Sequence, residues 1–254
     1  MLIIFIALVA AFFIERKIED AALERALVEE ETKKNYLMGK FDPAAHEDFK
    51  VIPKNFIVEV MQTYTLYLRE EVLDAFTEMR TAARKEGVEL VLASATRNFD
   101  YQKDLWEKRW QGLLLVNKQK LSNFANTEER FEKNLEYTAL PGTSRHHWGT
   151  DIDIGAANLA YYETAQGKKE HEWLLKNARS FGFCQPYKPK GVQRATGYNE
   201  EKWHWSYLPT SRIYTEEYKN LVKNEDIRGF SGDQFVPGKD IVNNYVMSIR
   251  PDCI

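Results

Sequence analysis

Apolar residues recur at helical spacing between Leu66 and Glu86, and this pattern predicts an amphipathic helix. The apolar positions are Leu68, Val72, Leu73, Phe76 and Met79. Gly87 follows directly, as expected where a helix ends. The next stretch, Val88–Ala95, first alternates and then becomes continuously apolar, which favours a buried strand.

Shorter patterns continue this mixture of helices and strands. Phe99–Leu115 carries aromatic and apolar residues at helical spacing, and Glu170–Phe181 predicts a further helix. Asp151–Gly155 and Trp203–Tyr207 alternate as short strands. Asn117–Thr138 is polar, and we interpret it as a helical or irregular insert that shapes specificity. Because the order shows no regular βαβ rhythm, it predicts an α+β fold.

The N-terminal stretch Leu2–Ile14 contains no charged or polar residue. It is shorter than the roughly 20 residues that span a bilayer as a helix, and it fits the apolar region of an export signal. No basic residue precedes it, although export signals usually begin with one. We interpret it as a signal peptide or membrane anchor, with a buried N-terminal strand or helix as the alternative. Glu15–Asn35 has the composition of a solvated stalk helix.

Composition narrows the classes of function. The 254 residues carry 35 Lys+Arg against 38 Asp+Glu, so the basic field that a nucleic-acid partner requires is missing. Two cysteines are too few for a disulfide framework or a four-cysteine zinc site, so any metal must be held by His, Asp or Glu. Export would allow Cys184 and Cys253 to pair, but the sequence does not show that they meet.

Three of the five histidines fall in two short segments that also contain acids, residues 144–153 (SRHHWGTDID) and 201–207 (EKWHWSY). A catalytic zinc takes three protein ligands and leaves one position for water. One His and one Asp from the first segment, with one His from the second, would complete such a set. Gly149 would let the backbone turn closely between them. Glu201, three residues before His204, could serve as a base beside the metal.

Three motifs occur together in one order along the chain. They are S-x-H-x-x-G-x-x-x-D at Ser144, His146, Gly149 and Asp153, E-x-W-H at Glu201, Trp203 and His204, and a segment similar to S-G-Y-R-S…Q at Ser94–Arg97 and Gln102. In this order they resemble the VanY-type zinc D-alanyl-D-alanine carboxypeptidases, a family that includes the VanX-type D,D-dipeptidases and belongs with Hedgehog-like peptidases. The resemblance covers about Tyr67 to Tyr207 and implies a small, mostly antiparallel sheet flanked by helices.

The resemblance also implies a role for each matching residue. The zinc ligands would be His146, Asp153 and His204. Glu201 would act first as the base and then as the acid, and Arg97 would stabilise negative charge on the scissile carbonyl. The residues expected to bind substrate are Ser144, Gln102 and Asp151. The reaction would remove a terminal D-amino acid from peptidoglycan stem peptides, so the protein would act outside the cytoplasm.

Two positions depart from the family pattern. His147 stands where the family often has Gln, and neighbours in an extended segment point to opposite sides, so only one of the two adjacent histidines should reach the metal. The family spacing selects His146. Asp151 stands where the family commonly has Ala, and it shares a strand face with Asp153, so periodicity alone leaves both open as the ligand. The family register selects Asp153 and also leaves Asp151 open as a hydrogen-bond acceptor behind a ligand.

Several related functions stay open at this level. They are D,D-dipeptidase, L,D-carboxypeptidase and peptidoglycan endopeptidase activity, and a non-catalytic zinc-binding or cell-wall-binding module. The presence of both Glu201 and Arg97 favours an enzyme. The expected division of the chain is a signal peptide or anchor at 1–14, a helical lead-in at 15–60, the catalytic domain at 61–210 and a C-terminal extension packing on it at 211–254.

Overall fold

The computed structural model describes the backbone of residues 2–254 and the side chains from Glu15 onward. The side chains of Leu2–Ile14, interpreted above as a signal peptide or anchor, therefore lie outside the described residues. Within the described part of the chain, no helix combines the length and the apolar character needed to cross a membrane.

Helices and short strands alternate irregularly along the chain. The α-helices are α1 (Leu2–Leu37), α2 (Glu70–Lys85), α3 (Phe99–Trp110), α4 (Thr127–Leu135), α5 (Ala165–Asn177) and α6 (Leu208–Leu221). The strands are β1 (Phe49–Val51), β2 (Tyr67–Arg69), β3 (Leu92–Ser94), β4 (Asp151–Ile154), β5 (Phe183–Cys184) and β6 (His204–Tyr207). Strands β1 and β2 form an antiparallel pair, and the larger sheet has the order β3-β4-β6-β5 with every neighbouring pair antiparallel. The predicted α+β fold with a small antiparallel sheet is confirmed.

The buried apolar residues form two hydrophobic cores. The sheet core combines the apolar face of α2 with inward residues of the larger sheet; its members include Val72, Phe76, Met79, Leu92, Ile152, Ile154 and Trp205. The C-terminal core joins α3 and α4 to the segment after β6; its members include Trp106, Phe131, Trp148, Tyr218 and Val246. Strands β4 and β6, which carry two of the candidate metal ligands, contribute their apolar residues to the sheet core.

The segment after Tyr207 begins with a helix. Helix α6 begins at Leu208, with Pro209 in its first turn, where the missing backbone N–H leaves no intrahelical bond unmade. Tyr218 on this helix is fully buried and donates a hydrogen bond to the Gly142 carbonyl at 2.8 Å. The expected boundary between residues 210 and 211 therefore falls inside a helix that packs into the core.

A disulfide joins Cys184 of β5 to Cys253 near the C-terminus, and their Cα atoms are 5.7 Å apart. This bond fixes the end of the chain to the edge of the larger sheet across 69 residues of sequence. In the chain-entropy description, closing a loop of this size stabilises the folded state by about 4 kcal/mol. The disulfide therefore holds the C-terminal core closed against the sheet.

Helix α1 is exposed from Glu15 to Lys33 and becomes buried only at its end. Leu37 and Met38 enter the C-terminal core, and Lys33 forms an ion pair with Glu217 of α6 at 2.5 Å. The exposed part falls within the expected stalk helix, and its role as a stalk stays a prediction.

Candidate active site and metal centre

Strands β4 and β6 bring two of the predicted ligands together. In their antiparallel register, Asp153 lies directly opposite His204. The third, His146, comes from the short 3₁₀ helix Arg145–Trp148, a turn that precedes β4. Gly149 ends that turn with φ +72°, and a Cβ atom there would lie 2.4 Å from the Phe49 ring. The turn therefore requires glycine both for its left-handed backbone and for its close packing.

The three predicted ligands form a compact, buried cluster. Asp153 Oδ1 lies 3.3 Å from His146 Nε2 and 3.5 Å from His204 Nδ1. All three side chains are buried, and their candidate ligand atoms lie within 4.8 Å of one another. Because two imidazole nitrogens and one carboxylate oxygen leave a fourth tetrahedral position open, this donor set matches a catalytic zinc site.

The hydrogen bonding of the cluster also fits a bound cation. His146 Nδ1 donates to the Ala95 carbonyl at 2.8 Å, which directs the lone pair of Nε2 toward Asp153. Among the described residues, His146 Nε2 and Asp153 Oδ1 are buried and have no hydrogen-bond partner. Leaving such atoms unpaired costs free energy, so their convergence on one point fits a cation site better than a packed core.

His147, the neighbouring histidine, faces away from the cluster. Its Nε2 accepts from the Gly142 backbone N–H at 3.1 Å, and its Nδ1 donates to the Arg97 carbonyl at 2.6 Å. Burial lowers the pKa of His147 to about 3, so the ring is neutral and both nitrogens bond the backbone. Of the two adjacent histidines, His146 therefore lies in the cluster and His147 does not.

Glu201 and Arg97 border the cluster on its open side. Glu201 Oε2 lies 3.3 Å from His204 Nδ1, and burial raises the pKa of this carboxyl group. Arg97 Nη2 lies 4.0 Å from Asp153 Oδ2. Both residues line the same cavity as the three candidate ligands. A carboxylate and a guanidinium therefore stand where a base and a stabiliser of negative charge would be needed.

Asp151 lies behind His204. The His204 Nε2 atom donates to Asp151 Oδ1 at 2.9 Å, and Asp151 is fully buried. Asp151 is not among the residues that line the cavity, whereas His204 is, so the structure does not bring Asp151 together with the other residues expected to bind substrate. This position agrees with the alternative that Asp151 is a hydrogen-bond acceptor orienting a metal ligand.

A cavity of about 670 Å³ opens over the cluster. Ser144 and Gln102, two of the residues expected to bind substrate, both line it. Gln102 Nε2 donates to the Ala139 carbonyl at 2.7 Å, while its Oε1 is buried and without a partner in the described part of the chain. Part of the wall comes from residues of the polar insert, namely Asn117, Lys118, Tyr137 and Thr138. The insert is thus placed where it can affect which substrates enter.

Two arginines at the site were not anticipated from the sequence. Arg109 lines the cavity and donates to the Tyr137 carbonyl at 3.3 Å and to Thr138 Oγ1. It lies seven residues after Gln102 on α3, so helical periodicity would have placed both on one face. Arg145 forms a buried ion pair with Asp151. Its place inside the S-x-H motif, next to a predicted ligand, was the feature of the sequence that could have indicated a role at the site.

A buried His–Asp–His cluster thus lies with a carboxylate and a guanidinium along one cavity, an arrangement suited to metal-assisted hydrolysis. Residues 65–210 match the family model described as VanY, D-alanyl-D-alanine carboxypeptidase. The match covers more than half of the chain, and the chain belongs to this family. The family resemblance stated from the motifs is confirmed.

Curated relatives agree with this family. The chain is 35% identical over 171 residues to the putative carboxypeptidase YodJ of Bacillus subtilis, covering 62% of this chain and 55% of the relative. It is 29% identical over 150 residues to a D-alanyl-D-alanine carboxypeptidase of Enterococcus faecalis, covering 56% and 52%. The chain thus spans about half the length of these relatives. Among solved structures, the LdcB LD-carboxypeptidase is 27% identical with a TM-score of 0.50, covering 73% of this chain and 81% of that one.

Proposed function

We propose that this protein is a zinc-dependent D,D-carboxypeptidase that removes the terminal D-amino acid from peptidoglycan stem peptides. The observation that carries the proposal is the convergence of His146 Nε2, Asp153 Oδ1 and His204 Nδ1 at the floor of the cavity. Membership of the VanY family supports the substrate class.

His146, Asp153 and His204 would hold the zinc ion. When bound, zinc polarises a carbonyl group and lowers the pKa of a coordinated water to about 7. The Nδ1–H of His146 and the Nε2–H of His204 are each bonded to a protein oxygen, which leaves the opposite nitrogen of each ring free to face the ion.

Glu201 would move the proton during peptide cleavage. Its carboxylate takes a proton from the attacking water and then returns it to the amine nitrogen of the departing D-residue, so the proton balance closes within one group. The position of Oε2, 3.3 Å from His204 Nδ1, keeps Glu201 beside the ligands. Its raised pKa supports the second step, because a carboxyl group that holds its proton more firmly is a better match for an acid acting near neutrality.

Arg97 would stabilise the negative charge that develops on the scissile carbonyl oxygen. Its backbone is fixed on both sides of the residue: the N–H donates to the His146 carbonyl and the carbonyl accepts from His147. Among the described residues, its Nε atom is buried and has no hydrogen-bond partner. A guanidinium carried on a fixed backbone, with an unpaired donor near the ligands, is suited to this task. Ser144 and Gln102 would hydrogen-bond the peptide in the same cavity.

An L,D-carboxypeptidase is the second candidate. The similarity to the LdcB LD-carboxypeptidase structure supports it. The two candidates share the chemistry of the cluster and differ in the stereochemistry of the residue that the cavity accepts.

We also propose that the protein acts outside the cytoplasm. The Cys184–Cys253 disulfide supports an oxidising compartment. The proposed substrate belongs to the cell wall, and the Leu2–Ile14 segment would export or anchor the chain, with the exposed part of α1 as its stalk. Fractionation of cells that express the full chain or a chain starting at Glu15 tests this. We expect only the longer form in the membrane or exported fraction, and equal cytoplasmic amounts of both would contradict it.

The activity test uses purified, zinc-loaded protein and two synthetic stem peptides, a pentapeptide that ends in D-Ala-D-Ala and the tetrapeptide that lacks the last residue. Mass spectrometry of the products should show loss of one D-Ala from the pentapeptide, and the Asp153→Ala variant should show none. Cleavage of the tetrapeptide alone would favour the L,D-carboxypeptidase. If neither peptide is cut while zinc is bound, the proposed function is wrong.

A further inference from the structure

Asp151 is a buried carboxylate with four hydrogen-bond donors around it. His204 Nε2 and Arg145 Nε donate to Oδ1 at 2.9 and 3.2 Å. Thr150 Oγ1 and Ser206 Oγ donate to Oδ2 at 2.6 and 3.1 Å. A carboxylate offers about four acceptor positions, so this set is complete. Asp151 is therefore held in one orientation toward the back of the His204 ring.

Arg145 is fixed just as fully. In addition to the bond to Asp151, its Nη1 donates to Thr215 Oγ1 and its Nη2 to Ser206 Oγ, each at 2.9 Å. Its Cζ atom lies 4.6 Å from the centre of the Trp148 ring. The side chains of Arg145 and Asp151 both have 0% exposure. Three diverging bonds and a stacked plane match the planar guanidinium fork, which a lysine ammonium does not reproduce.

The charge of Arg145 explains how a carboxylate can remain behind the metal centre. A buried anion without a counter-charge is strongly unfavourable. Arg145 supplies the counter-charge through its bond to Asp151, and its other hydrogen bonds go to Thr215 and Ser206 and not to the His204 ring. Asp151 can therefore accept the Nε2–H of His204, which fixes the tautomer and directs the Nδ1 lone pair toward Asp153 and the ion.

We propose that Arg145 is a positioning residue of the metal centre, which acts through Asp151 to fix the orientation and tautomer of His204. The inference rests on the zinc site proposed above. It also gives helix α6 a role, because Thr215 anchors Arg145 from a position outside the 65–210 region of the family match. The segment after β6 then supports the metal site through a chain of four contacting side chains: Thr215, Arg145, Asp151 and His204.

Zinc affinity of the full chain, measured by competition with a chelator, tests the proposal. Arg145→Met should weaken zinc binding by about 10–100-fold, the range expected when the partner of a metal-ligating histidine is disturbed. Arg145→Lys keeps the positive charge but not the planar guanidinium, so its zinc affinity should lie between those of Arg145→Met and wild type. The control is Arg80→Met, which removes another buried arginine, paired with Glu89 beside α2. It should lower Tm yet retain the wild-type zinc affinity.

Cobalt substitution provides a second readout that a purely structural role would not move. The visible spectrum of the cobalt protein should change in Arg145→Met and stay as in wild type in Arg80→Met. Wild-type zinc affinity together with an unchanged cobalt spectrum in Arg145→Met would overturn the proposal. If that variant does not fold, Thr215→Val takes its place, and a zinc affinity equal to wild type would be equally damaging. Wild-type protein that binds no zinc would instead contradict the proposed function itself.

Discussion

Each side of the His204 ring carries one arginine and one carboxylate, but the two pairs differ in how many of their hydrogen bonds are made within the protein. On the cavity side, Arg97 retains a buried Nε with no partner in the described part of the chain, and Glu201 borders open space. On the far side, Asp151 and Arg145 are fully buried, and the partners of their polar atoms are in place. Free hydrogen-bonding capacity beside the ligands is what chemistry on a substrate requires, while a saturated network serves to hold a ligand still.

This contrast predicts that mutations on the two sides affect different properties, the catalytic rate on the cavity side and the zinc affinity on the far side. A variant on the cavity side should keep its zinc and lose rate. A variant on the far side should lose zinc affinity first, because its effect reaches the substrate only through His204. Measuring bound zinc and kcat together in each variant therefore separates the two regions.

The largest effect on rate is expected from Glu201→Gln. The amide cannot take or return a proton, so kcat should fall by about 10²–10⁴-fold while zinc remains bound. The matched control is Glu200→Gln, an adjacent, half-buried glutamate that should retain near-wild-type kcat. Zinc content and peptide turnover are measured on the same samples. Loss of zinc in Glu201→Gln would mean that this residue is a ligand and that the cavity side has been misassigned.

A somewhat smaller loss is expected from Arg97→Met. Removing one donor to a developing oxyanion typically costs about 10²–10³-fold in kcat. The backbone bonds of Arg97 to His146 and His147 do not depend on its side chain, so the cluster should stay intact. Arg97→Lys should recover part of the rate. Steady-state kinetics of the three proteins check this, and an effect on KM alone would assign Arg97 to substrate binding.

The smallest effect on catalysis is expected from breaking the disulfide that closes the C-terminal core. Cys184→Ser combined with Cys253→Ser should reduce the free energy of unfolding by about 2–4 kcal/mol, because the unfolded chain regains its loop entropy. Since Thr215 lies on α6 and is held by the rest of the core, zinc affinity should change little at temperatures where the protein is folded. A large loss of zinc would show that the far side depends on the C-terminal segment much more closely than its local contacts indicate.

The three residues expected as ligands lie together in the structure, and the sequence could indicate this grouping because much of the information is local. The motifs place His146 and Asp153 seven residues apart around a glycine, and the alternation of β4 and β6 puts the relevant side chains on one face. The choice between Asp151 and Asp153 was open from periodicity, since both share that face. The strand register separates them: Asp153 lies opposite His204, whereas Asp151 lies opposite Ser206.

The far side and the C-terminal core could not be predicted in the same way because they depend on long-range contacts. Arg145 meets Thr215 seventy residues later, and Cys184 meets Cys253 sixty-nine residues later. The sequence does contain features of helix α6, because Pro209 lies in its first turn and the aromatic residues Tyr214 and Tyr218 are four residues apart. The glycines and prolines that follow obscured this short helical pattern.

The most direct test of the central claim is a crystal structure of the zinc-loaded protein with anomalous scattering measured at the zinc edge. We expect one strong peak at about 2.0–2.2 Å from His146 Nε2, His204 Nδ1 and an Asp153 carboxylate oxygen, with Glu201 close by but not bound. Three results would contradict the account: a peak bound through His204 Nε2, a peak coordinated by Asp151 or Glu201, or no peak at the cluster of His146, Asp153 and His204.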